Sequence, residues 1–95
     1  VPTNIGEQAG VVWQNILAIL AEGKMSARDI ISVTTFVVYT SDSGEMATRL
    51  KLVMAARDAA LNGHLAASTL VTVPALARPE WLMEISVLAA RQPNS

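Results

Sequence analysis

Few residues in this chain are of a type that does chemistry, and Glu84 is the most informative of them. It lies between Met83 and Ile85 in an apolar run, where a carboxylate needs solvent, a cationic partner or a site. Held in a partly dry cleft, such a group can act as a general base toward water. An ion pair across a sheet, or a solvent-facing strand position, accounts for it equally well. Ser68 and Thr69 bring two hydroxyls to the start of another apolar run. No neighbouring motif activates them as nucleophiles, so hydrogen bonding is the role their surroundings support. His64, the single histidine, follows Gly63 with no potential metal ligand close in sequence, which reads as a surface loop position. Trp81, after Pro79 and Glu80, could line a pocket or pack at a core or interface.

Several kinds of chemistry are absent. With no cysteine there is no disulfide, thiolate nucleophile, zinc ribbon or iron–sulfur site. No phosphate-binding glycine pattern, His-Glu-x-x-His or nucleophile elbow occurs, and neither a metal nor a cofactor is expected. Seven Lys and Arg against eight Asp and Glu, with no basic run, argue against a nucleic-acid partner. The longest unbroken apolar run, Ile16 to Ala21, is far short of the roughly 20 residues that cross a bilayer, so no membrane partner is expected. The start Val1-Pro2-Thr3-Asn4 has neither the basic nor the apolar region of a signal peptide, and a cytoplasmic location is the simplest expectation.

The elements that must position these residues follow from periodicity. Ala9, Val12, Trp13, Ile16, Leu17 and Leu20 recur at helical steps, predicting a helix over Gly6 to Glu22. Thr3 or Asn4 can cap it, Glu7 suits its positive end, and Gly23-Lys24 forms a stop. Ser26 to Asp29 resembles a capping box, with Asp in place of Glu. Ile30 to Thr40 is dense in β-branched and aromatic residues, with Ile31, Val33, Val37 and Tyr39 on one face and Phe36 and Val38 on the other. Apolar groups on both faces predict a central strand. Glu45 to Leu61 predicts a second helix whose face carries Met46, Leu50, Val53, Met54, Arg57 and Leu61, ended by Asn62-Gly63. Strands are expected at Ala67 to Val73 and Trp81 to Ala89, joined as an antiparallel hairpin through a turn at Ala77 to Glu80. A polar tail follows from Arg91.

These elements make one α+β domain over residues 1–95, with a mixed sheet and two helices on one of its faces. The first strand, linked through a helix, is expected parallel to its successor. Fifty-two per cent of the 95 residues are apolar and only 16 per cent charged, more apolar surface than so short a chain hides alone. Self-association, or a further piece of the fold, is expected to cover the other face.

The stretch His64-Leu-Ala-Ala-Ser-Thr-Leu-Val-Thr-Val-Pro-Ala-Leu-Ala-Arg-Pro-Glu-Trp-Leu-Met-Glu-Ile85 closely resembles the C-terminal signature of the RidA/YjgF family. Gly6-Glu7-Gln8-Ala9 with Val12 through Leu20 is similar to that family's first helix, and Asp29 through Val38 to its next strand. The resemblance implies a chorismate-mutase-like fold, a homotrimer as the self-partner, and small-molecule clefts between subunits. It implies hydrolysis of reactive enamines and imines to a 2-keto acid and ammonia without a cofactor. In that scheme an Arg grips the substrate carboxylate and a Glu positions the attacking water.

On this alignment Glu84 takes the place of the catalytic Glu, while Ser68 stands where the family carries its substrate-binding Arg. A serine cannot supply the charge or the two-point grip, so carboxylate recognition is expected to weaken by several kcal/mol. Ser68 and Thr69 remain the substrate-binding candidates, and the sequence places neither Arg57 nor Arg78 at the cleft. The sequence starts after the point where the family's opening β-hairpin is expected, which reads as absent. The expectation is a divergent RidA-like protein that binds a small carboxylate metabolite at a subunit interface, with weak or altered deaminase activity. The alternatives are an L-PSP-type endoribonuclease or translation inhibitor, and a non-catalytic oligomeric structural protein.

Overall fold

The computed structural model describes residues 4–90. Helix α1 (Ile5–Glu22) starts where Asn4 leaves the extended region, its side-chain oxygen accepting from the N–H groups of Gly6 and Glu7 at 2.7 and 3.4 Å. Thr3, the other capping candidate, and the tail from position 91 lie outside the described residues. At the far end Gly23 keeps an ordinary φ of −87°, and Lys24 takes the left-handed conformation (φ 61°). The glycine thus stops the helix one residue before the turn that would use its freedom. Asp29 then accepts from the N–H of Ser26 at 2.8 Å around a single 3-10 turn (Ala27–Asp29), as the capping-box pattern predicts.

Strand β1 (Ile30–Val38), helix α2 (Ser43–Leu61), strand β2 (Ala67–Val73) and strand β3 (Met83–Ala89) complete the chain. Asp42 caps α2 by accepting from the N–H of Glu45 at 2.9 Å. The sheet order is β2-β1-β3, with β1 and β2 parallel and β1 and β3 antiparallel. The central position of β1 and the parallel pairing are as expected. The hairpin is not: β2 and β3 lie on opposite sides of β1. Pro74 ends β2, and the link of residues 74–82 is longer than the two to about five residues of a tight hairpin loop. It passes from one side of β1 to the other at the Val38 end. This order places the most buried strand in the middle, where both its edges are hydrogen-bonded.

Both helices cover one sheet face. Ile5 and Ala9 of α1, Val53 of α2, Val37 of β1 and Met83 of β3 form one buried cluster. Trp13, Leu20, Ile30, Val33 and Leu61 form the other. An irregularity between Ile30 and Ser32 shifts the register, so Ile30 is buried and Ile31 is half exposed, reversing the expected face for Ile31. Tyr39, past the end of β1, is also exposed.

Arg49 ties α2 to the end of β1. Its Nη1 donates to the Val38 carbonyl at 2.7 Å while Nη2 pairs with Glu45 at 3.0 Å, and its side chain is only 12% exposed. Arg49→Ala is expected to cost about 1–2 kcal/mol in urea unfolding, from the charge-assisted bond to Val38. Glu45→Ala should cost under about 0.5 kcal/mol, because the carboxylate it removes is exposed and screened by solvent. Equal losses in the two variants would place the effect in the ion pair instead.

Candidate functional site

Strand register decides which candidates meet. Ser68 lies beside Val33 of β1, and Glu84 lies beside Phe36. An offset of three residues puts them on opposite faces, because successive strand side chains alternate. Strand spacings separate their backbones by about 14 Å, across the full width of the sheet. Ser68 faces the helices. Glu84 faces the uncovered side and is exposed. Thr69 shares the uncovered face with Glu84, in a transverse row Thr69–Thr34–Ser86.

Around Ser68 the structure assembles a charged cleft. Arg57 on α2 donates from Nη1 to the Ser68 hydroxyl at 3.0 Å. Its Nε and Nη2 bond the Asp58 carboxylate at 3.2 and 2.8 Å, fixing the guanidinium plane. These contacts use three of the five N–H groups of a guanidinium. Because Ser68 Oγ accepts from Arg57, its own proton is available to donate to a ligand. Arg57, Asp58, Gly63, His64, Ala66 and Ser68 border a cleft of about 250 Å³. A cationic side chain from α2 thus stands beside Ser68.

Glu84 belongs to a second cleft of about 300 Å³ at the β3 edge, with Arg78, Trp81, Leu76, Ile85 and Val12 among its walls. Trp81 is half-buried and lines this cleft, the pocket role left open by its sequence position. The 74–82 link that carries Arg78 and Trp81 is held by Gln8. This fully buried α1 side chain donates from Nε2 to the Glu80 carbonyl and accepts from the Leu82 N–H, each at 2.9 Å.

The endoribonuclease L-PSP family model matches residues 1–91. The chain belongs to that family, the RidA/YjgF group. Solved structures agree. A Thermotoga maritima protein of this family's fold superposes with a TM-score of 0.82 at 26% identity, over 97% of this chain and 66% of that one. A YjgF-family member from Neisseria meningitidis gives a TM-score of 0.77 at 26% identity, covering 97% and 71%. Escherichia coli TdcF, solved with bound serine, gives 0.75 at 25% identity, covering 97% and 68%. No curated protein matches the chain at a significant level. The chain spans about two thirds of the length of these matched structures. Among the described residues no helix is long and apolar enough to cross a membrane.

Sequence reading missed Arg57 and Gln8 as site-building residues of this family member. Arg57 did leave a signal: it is the one charged residue on an α2 face that is otherwise apolar.

Proposed function

We propose that this RidA-like protein binds a small carboxylate metabolite at a subunit interface of a homotrimer and hydrolyses enamines or imines to a keto acid and ammonia, with weak or altered activity. The observation that carries this reading is the Arg57 guanidinium on Ser68 at the rim of a ligand-sized cleft. Two N–H groups of Arg57 and the Ser68 hydroxyl offer a carboxylate the grip that serine alone lacks. Glu84 is on the opposite face of the same sheet, so one copy cannot aim both at one molecule. In the homotrimer, Glu84 of a second copy adjoining this cleft supplies the carboxylate. Glu84 then takes a proton from water as the oxygen attacks the imine carbon. The nitrogen accepts that proton to complete the amino-alcohol. The hydroxyl proton then passes through Glu84 to the leaving nitrogen as the C=O forms and the C–N bond breaks, releasing ammonia.

Binding of pyruvate, followed by NMR titration, tests the grip. Arg57→Met should weaken it about 10- to 100-fold, the scale of lost charged hydrogen bonds. Turnover of 2-iminopropionate tests the shared site. Arg57→Met and Glu84→Gln subunits, unfolded and refolded together, should recover activity in about a quarter of the sites of randomly mixed trimers. No recovery on mixing overturns the interface reading. Loss of binding in Arg78→Met, with none in Arg57→Met, moves the carboxylate to the β3 cleft. The endoribonuclease reading has the family's name behind it, but the near balance of charges gives RNA little to hold. RNA cleavage at low ionic strength that Glu84→Gln abolishes would favour it.

A further inference from the structure

His64 is the only histidine in the chain, and the fold fixes its ring. Two successive left-handed residues, Asn62 (φ 47°) and Gly63 (φ 87°), turn the chain back at the end of α2. The N–H of His64 then donates to the Leu61 carbonyl at 3.0 Å. The ring reaches the start of β1, where Nε2 lies 2.9 Å from the Ile30 carbonyl oxygen. A carbonyl oxygen only accepts, so Nε2 carries the proton and the lone pair of the neutral ring is on Nδ1. The backbone thereby selects one tautomer. His64 borders the Arg57–Ser68 cleft and also a larger groove of about 910 Å³ between the ends of the two helices.

We infer that His64 Nδ1 accepts a hydrogen bond from the ligand held by Arg57, so that the cleft selects carboxylates bearing an N–H or O–H donor on the adjacent carbon. This inference rests on the carboxylate-binding reading above and names its ligand class: 2-enamino or 2-hydroxy acids, in preference to 2-keto acids. Arg57 and Ser68 offer only donors to the carboxylate, and His64 adds the complementary acceptor. A keto oxygen at that place sets lone pair against lone pair and leaves Nδ1 without a donor. An enamine substrate carries the N–H and its keto product does not, so the same contact that holds the substrate releases the product.

Lactate and pyruvate differ at this one group and serve as probes. NMR titration should show lactate bound about five- to ten-fold tighter than pyruvate, the range of one neutral hydrogen bond. With the single histidine ¹⁵N-labelled, lactate should shift Nδ1 and pyruvate should leave it in place. His64→Phe should abolish the preference, its folding checked by thermal melt. The ¹⁵N measurement needs no variant and holds even if His64→Phe is unfolded. Equal affinities with an unmoved Nδ1, or tighter pyruvate, overturn the inference. If Arg57→Met leaves both affinities unchanged, the carboxylate reading fails. If it weakens both while the wild type does not discriminate, the role of His64 alone fails.

Discussion

Gln8→Ala is expected to lower the unfolding free energy by about 2–4 kcal/mol, combining two lost hydrogen bonds with a cavity. The side chain is fully buried and its amide grips the backbone at both Glu80 and Leu82. Truncation leaves that carbonyl and that N–H without this partner at a part-buried site. For a domain of this size the midpoint should fall by roughly 10–25 °C in a thermal melt followed by circular dichroism. Gln8→Met restores volume without the hydrogen bonds and should recover only the packing share, leaving a loss of about 1–3 kcal/mol. A loss below about 0.5 kcal/mol in Gln8→Ala would mean that packing of Trp81 and Met83 alone holds the link. The consequence reaches function, because the gripped segment runs directly into β3 and sets where Glu84 stands.

Glu84→Gln should reduce release of ammonia from 2-iminopropionate by about 10²- to 10³-fold, the contribution of a positioned general base. The amide has the same shape but cannot take the water proton. Since the carboxylate is exposed on the helix-free face, stability should change by less than about 0.5 kcal/mol. That separation between activity and stability is the discriminating result. An unchanged rate would return Glu84 to a solvent-facing strand position. A large loss of stability would point instead to a structural ion pair.

Much of the local structure was legible because it depends on short-range spacing. The apolar stripe of α1, the cap at Asn4, and the β-branched run of β1 each appear in the structure where spacing and side-chain type place them. The errors came from choices that neighbouring residues do not make. A turn-like Ala77 to Glu80 between two strands suggested a hairpin, yet strand pairing is decided by which edge buries most. Alternation assigned Ile31 to the core, and one register shift gave that place to Ile30. Gly23 suggested the left-handed turn that Lys24 makes.

The candidate site divides in the same way. Glu84 stood out as a carboxylate within an apolar strand, and Ser68 through its place in a recognised signature. Their separation onto opposite sheet faces follows only from pairing both strands with β1. Arg57 on Ser68, like Gln8 on a link more than 70 residues away, is a contact between elements that no local pattern encodes.

By itself, the sequence determined the element types, most of their ends, the family, and the absence of thiol chemistry. Helical and strand periods are local, and the backbone reads them over a few residues. Tertiary structure alone decided the strand order, which face each candidate occupies, and the contact of Arg57 with Ser68. Those depend on burial and hydrogen bonding summed over the whole chain, where a gain for β1 at the centre outweighs the shorter path of a hairpin.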